Sequence, residues 1–163
     1  YDRSGERTAD FEVGLRDPVV AIVDRDTGVL ALGGADGAVV VDPSTETAQP
    51  VRDVGSVISL GFARGGTLLV IVDVDGNVRL WDAEREELVG TLWAGSGTAP
   101  SSPPWYDEVT DSVWVATSGK VLRFSLDPDR WIERVCDLAT RDLTVDEWNR
   151  LVPGDEPRRS ACN

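Results

Sequence analysis

Apolar positions along the chain fall in short bursts separated by polar, glycine- or proline-containing breaks. "VLALGGA" (29–35), "TLLVIVD" (67–73) and "SVWVATS" (112–118) are near-continuous apolar runs. A turn signal and a second burst follow each: Asp36-Gly37 with "AVVVD", Asp75-Gly76 with "NVRLWD", and Ser118-Gly119-Lys120 with "VLRFSLD". One more burst precedes each, in "PVVAIVDRDTG" (18–28), "SVISLGFARGG" (56–66) and "PPWYDEVTD" (103–111). Runs this short, rich in Val, Leu, Ile and Trp and bounded by Gly, Asp, Pro and Ser, predict strands and turns. Asp-Gly suits a hairpin because glycine takes positive φ without a Cβ clash. The polar breaks "PSTETAQPVRDVG" (43–55) and "AEREELVGTLWAG" (83–95) each lead into a fourth strand. The set of strands returns roughly every 40 residues, the period of a four-stranded blade in a β-propeller.

The chain is therefore expected to be all-β and to divide unevenly. Residues 1–17 read as the end of a preceding blade, 18–55 and 56–95 as two whole blades, and 96–126 as a last blade without its fourth strand. Residues 127–163 form a helical tail. Asp127 is placed as N-cap with Pro128 at the first helical position, and Trp131, Val135, Leu138 and Ala139 lie on one helical stripe. A second helix is predicted within 143–152. Thr144 and Glu147 make its capping box, Leu143 and Trp148 its hydrophobic staple, and Pro153-Gly154 its end.

The segment "DGNVRLWD" (75–82) resembles the turn, third strand and Trp-Asp end of a WD40-repeat blade. Asp36-Gly37 and Asp75-Gly76 are then the blade turns and Trp81-Asp82 the dipeptide. Val41-Asp42, Leu126-Asp127 and Tyr1-Asp2 stand as worn copies of it. The family's Gly-His dipeptide is missing, since the chain has no His, and the blades must rely more on packing. The tail, "LDPDRWIERVCDLATRDLTVDEWNRLVPGDEPRRSAC" (126–162), is similar to the end of long bacterial WD40 proteins. It matches at Asp127, Pro128, Trp131, Cys136, Arg141, Leu143, Thr144, Glu147, Trp148, Pro153 and Cys162. The resemblance implies the last part of a sensor propeller behind an effector, a STAND-type NTPase or a protein kinase. It also implies ring closure by a strand borrowed from an earlier part of the chain, with the two helices packed as a plug.

Composition narrows the function. With 29 Asp+Glu against 16 Lys+Arg the net charge is −13, the wrong sign for a nucleic acid backbone or an anionic membrane. No apolar run approaches bilayer length. The absence of Met, and a propeller's need for typically four to eight blades, suggest a piece of a larger polypeptide whose upstream blades are its first partner. A cytoplasmic location is expected. Cys136 and Cys162 lack metal-site spacing; a disulfide and a pair of reduced, buried thiols are the alternatives, the latter the commoner state in cytosol.

Candidate chemistry is sparse. Without His there is no Ser-His-Asp triad for Ser102, Ser112 or Ser118, nor a Cys-His nucleophile. Asp73, Asp75, Asn77 and Glu84 are spaced like ligands of an EF-hand loop, but Val78 stands where that loop needs Gly and the flanks are strands. "DRDTG" (24–28) and "YDE" (106–108) supply carboxylates of the kind a glycosidase pairs, and also ordinary acidic loops. The Gly/Ser/Pro-rich stretch 93–108 reads as an inter-blade loop or a binding loop. Trp93, Trp105 and Tyr106 flank it as candidate partner anchors; core packing is the alternative expected for Trp93 and Trp105, and Tyr106 is the first candidate for partner contact. The expected function is non-catalytic protein binding, as a sensor or scaffold module, with no cofactor and no metal. The alternative is part of a propeller enzyme of hydrolase or lactonase type, its site completed by upstream blades.

Overall fold

The computed structural model describes residues 12–95, 102–117, 119–139, 141–151, 157–158 and 162. Among these residues eleven strands form three antiparallel sheets, each meandering in chain order. The first contains β1 (Pro18–Val23), β2 (Leu30–Gly34), β3 (Gly37–Asp42) and β4 (Thr47–Val51). The second contains β5 (Val57–Ala63), β6 (Leu68–Asp73), β7 (Val78–Asp82) and β8 (Glu87–Trp93). The third has only β9 (Trp105–Asp107), β10 (Ser112–Thr117) and β11 (Lys120–Ser125). The equivalent pairs share a register: Leu30 faces Val41 across β2–β3 as Leu69 faces Trp81 across β6–β7. A register irregularity follows the first residue of both β1 and β5, after Pro18 and Val57.

The described residues up to Phe124 form one compact unit. Its centre is the second sheet, where all six residues of β6 are buried. β5 packs against β1, β2 and β9. Ala31, Val40 and Val51 of the first sheet meet Val57, Leu60, Leu69, Ile71 and Trp81 of the second in one cluster. Two glycines set how closely the sheets approach. A Cβ on Gly33 would lie 2.7 Å from Val57 Cγ1, and one on Gly61 would lie 2.7 Å from the Pro104 carbonyl oxygen. Polar links join the same sheets: Gln49 Nε2 donates to Glu86 Oε1 at 2.9 Å, and Arg79 donates to the Asp53 carbonyl at 3.3 Å.

The outer faces of the stack carry apolar side chains in water. In β1, Val20 and Ile22 pack on the core cluster, while Val19 (68%) and Val23 (55%) are exposed. In the third sheet Trp105 faces Trp114 across β9–β10, their ring centroids 6.3 Å apart, and the Arg123 guanidinium sits 5.3 Å from the Trp114 centroid. Trp105 is 61% exposed and Trp93 43%. The expected core burial of these two tryptophans is therefore corrected: Trp93 ends β8, and Trp105 lies on the face of β9 opposite Tyr106. The Trp114 indole nitrogen is buried without a hydrogen-bond partner among the described residues.

The described residues from Ser125 onward form a second unit with α1 (Pro128–Leu138) and α2 (Val145–Leu151). Asp127 caps α1 by accepting from the Asp129 N–H at 3.0 Å, and Pro128 opens the helix, where a missing N–H costs nothing. The capping box of α2 is complete. The Thr144 N–H donates to Glu147 Oε2 at 2.8 Å, and the Glu147 N–H donates to Thr144 Oγ1 at 3.3 Å. Neither helix has a buried residue, and Val135 and Leu138 of the apolar stripe are exposed. The turn signal at Pro153-Gly154 and the dipeptide Tyr1-Asp2 lie outside the described residues.

Candidate functional site

Each sheet begins with a hairpin, and the first and third hairpins share a design. In the first, Asp24 Oδ1 accepts from the N–H groups of Asp26 (3.2 Å) and Thr27 (2.9 Å) and from the Thr27 hydroxyl (2.8 Å). Gly28 then takes φ +77°. In the third, Asp107 accepts from the Val109 N–H (3.1 Å) and the Thr110 hydroxyl (2.6 Å), and Asp111 holds the left-handed position at φ +42°. The second uses Arg64, Gly65 and Gly66, all at positive φ, with the Thr67 hydroxyl donating to the Arg64 carbonyl at 2.9 Å. Short polar side chains that bond their own backbone are what fix such turns.

These hairpins enclose a cavity of about 280 Å³ lined by Asp24, Asp26, Phe62, Ala63, Arg64, Gly65, Tyr106 and Glu108. At its edge Arg64 grips Asp111 through two nitrogens, Nε to Oδ1 at 3.1 Å and a terminal nitrogen to Oδ2, and the Tyr106 hydroxyl donates to Asp111 Oδ1 at 2.9 Å. The hydrogen bonds from Arg64 hold the Asp111 carboxyl below the usual carboxylate range. Burial, then the bond to Asp111, pushes the Tyr106 phenol up, and the Asp111 bond raises the Arg64 guanidinium. Asp111 is thus an anion, Tyr106 a neutral donor, and this cation is matched within the protein. Asp24 serves its own turn. The carboxylates of Asp26 and Glu108 make no hydrogen bond or ion pair among the described residues. The cavity offers them beside the Tyr106 and Phe62 rings, an arrangement suited to hydrogen-bond donors or a cationic side chain.

The sequence marked "DRDTG" and "YDE" as separate acidic loops; the structure brings both to this cavity. Sequence reasoning missed Arg64 and Asp111. The signal was in register with the other hairpins, since Asp111 occupies the place of Gly28, but the ion pair spans two sheets. Part of the proposed 93–108 binding loop, residues 96–101, lies outside the described residues.

The other marked residues are structural. Asp36 in the β2–β3 turn pairs with Arg16 through Nε at 2.6 Å, and Gly37 has φ +123°. Gly76 has φ +79°, but Asp75 beside it is exposed and its side chain makes no hydrogen bond among the described residues. The hub of that turn is Asp73. It accepts from the N–H groups of Asp75 (3.0 Å) and Asn77 (2.9 Å) and from Asn77 Nδ2 (2.8 Å), and pairs with Arg79 at 3.2 Å. These are donors, and the calcium-like spacing is accounted for by the turn. No group of three or more His, Cys, Asp or Glu side chains among the described residues is placed to hold a metal. Trp81 is buried in the core cluster, and Asp82 accepts from the N–H groups of Glu84 and Arg85, both at 2.9 Å. In the second unit the Trp131 indole donates to the Ser125 carbonyl at 2.6 Å, Trp148 is half-buried, and Cys136 is disulfide-bonded to Cys162. Of the two alternatives for these cysteines, the structure carries the disulfide.

Glu147 yields a pH prediction. Arg141 binds it through both guanidinium nitrogens, at 2.7 and 2.8 Å, and together with Thr144 brings its carboxyl down from 4.5 to about 2. A depressed carboxyl contributes stability above its unfolded value and loses it as pH falls through the folded one. The α2 cap should therefore persist below pH 4.5 and be lost near pH 2. An NMR titration of the Thr144 amide should show that midpoint, and Glu147→Gln should abolish it; a midpoint near 4.5 in the native chain would refute the bidentate pair.

No family model and no curated protein matches the chain.

Proposed function

We propose that the chain is a segment of a WD40-like β-propeller that binds a protein, as the sensor or scaffold part of a larger bacterial signalling or defence protein. The observation that carries this reading is the detailed repetition of one hydrogen-bonding device. Asp42, Asp82 and Asp127 follow or end the third strand of each sheet, and each accepts from the N–H two residues on, at 2.8, 2.9 and 3.0 Å. Glu46 and Glu86, four residues after the first two, both have φ +56°. After Asp127 the chain enters a helix rather than a fourth strand, because Pro128 is preorganised for the first helical turn.

Sheets that share a core cluster yet leave Val19 and Val23 of the first and Trp105 of the third exposed are consistent with blades whose other neighbours belong to the rest of a ring. Upstream blades of the same protein would cover these faces, and loops at a rim would serve recognition. The cavity between the first hairpins, with Tyr106 at its wall, is the surface offered to the protein ligand. Native and denaturing mass spectrometry of the protein from its source tests the assembly. The expected result is a native species heavier than 17.6 kDa that contains these sheets together with further blades. A folded, monomeric chain of this mass alone would overturn it.

The convergence of Asp26 and Glu108 on one cavity favours a second reading, part of a hydrolase propeller. Turnover of chromogenic glycosides or lactones by the intact protein, lost in Glu108→Gln, would establish that reading over binding.

A further inference from the structure

The second unit is held in an unusual way for its size. No side chain of α1 or α2 is buried, so these helices have no core of their own. The polar contacts among the described residues are local and include the Asp127 and Thr144–Glu147 caps, the Trp131 indole on the Ser125 carbonyl, the Arg141–Glu147 pair, and Arg158 Nε donating to the Leu143 carbonyl at 2.7 Å. Exposed ion pairs and caps of this kind contribute little each. Against them stands one covalent link. Cys136, in the third turn of α1, is joined to Cys162 across a sequence separation of 26 residues, and α2 with its capping box lies inside the closed loop. Small elements without a core generally need such a staple.

We propose that this unit is a thiol–disulfide switch, in which the Cys136–Cys162 bond decides whether α2 and its cap stay ordered. Both cysteines are half-buried rather than enclosed, so a reductant can reach them. A dithiol supplies the reducing step. One of its thiolates attacks a cysteine Sγ and forms a mixed disulfide, releasing the other cysteine as thiolate. The second dithiol sulfur then displaces the remaining cysteine. Two electrons pass to the cysteine pair, which ends as two protonated thiols, and the dithiol leaves as a disulfide. A disulfide oxidant such as oxidised glutathione reverses the exchange. In a reducing compartment the pair stands as thiols and the loop is open. This device is independent of the propeller reading.

The test is hydrogen exchange on the full chain, equilibrated first with oxidised glutathione and then with dithiothreitol. Opening a loop of this length should lower amide protection in α2 on the order of a hundredfold. Amides of the three sheets should be unchanged, and protection should return on reoxidation. Cys162→Ser and Cys136→Ser should both match the reduced protein in either buffer. The proposal is overturned if α2 is equally protected in both buffers or unprotected in both. It is also overturned if both thiols are alkylated by iodoacetamide after oxidised glutathione, or if reduction loosens the sheets together with α2.

Discussion

Replacing Trp81 with alanine is expected to cost the three-sheet unit about 3–5 kcal/mol, the range for a large aromatic removed from a close-packed interior. Trp81 is 1% exposed, and its neighbours across β7 are Leu69 and Leu88. It is the one tryptophan in the cluster that joins the first two sheets, among Ala31, Val40, Val57, Leu60 and Ile71. Most partners there are short, so little can collapse into the space an indole leaves. Such a loss is a large fraction of a domain's usual margin of about 5–15 kcal/mol. Trp81→Phe keeps the ring and should cost less, about 1–2 kcal/mol. Trp105→Ala should stay within roughly 1 kcal/mol, since that ring is 61% exposed and meets chiefly Trp114. Urea unfolding followed by far-ultraviolet circular dichroism measures all three. Equal midpoints for the Trp81 and Trp105 alanine variants would mean that Trp81 does not hold the sheets together.

The contrast between these tryptophans shows what the sequence could reveal. The strands were legible because their apolar bursts are short, closely spaced and punctuated by residues whose turn chemistry is local. Asp36-Gly37, Asp75-Gly76, the Asp127-Pro128 cap and the Thr144–Glu147 box depend on neighbours a few positions away, and a linear reading sees those. Whether Trp93 and Trp105 are covered depends on which face of which sheet meets another sheet, and nothing in the local pattern states that. The cavity was illegible for the same reason. Asp26 and Glu108 lie far apart in the chain, and Arg64 meets Asp111 only because β5 packs against β9. Spacing also left the cysteines open, since it does not say whether a helix turn and a distant segment come within bonding distance.

The turn before β7 separates a residue that fits a motif from one that does the holding. Asp75 sits in the Asp-Gly signal but is exposed, while Asp73, two residues earlier, is 4% exposed and meets four donors. Asp73→Ala would leave the N–H groups of Asp75 and Asn77, the Asn77 amide and one arm of Arg79 without their acceptor. Leaving buried donors unmatched costs about 1–3 kcal/mol per group before relaxation. Because the turn can partly open to water, a total of about 3 kcal/mol is expected. The turn also anchors the end of β8: Asn77 Oδ1 accepts from the Gly95 N–H at 3.0 Å, and a Cβ on Gly95 would fall 2.3 Å from the Gly76 carbonyl carbon. Loss of Asp73 should therefore loosen residues 93–95 as well, visible as faster exchange at the Gly95 amide. Asp73→Asn keeps one carbonyl acceptor but turns an amide toward Asn77 and Arg79, and should fall between alanine and the native residue. Asp75→Ala should shift stability by no more than about 0.5 kcal/mol. If the two alanine variants unfolded at the same urea concentration, the hub would belong to the Asp-Gly motif after all, and the hydrogen bonds to Asp73 would carry no weight in holding β6 to β7.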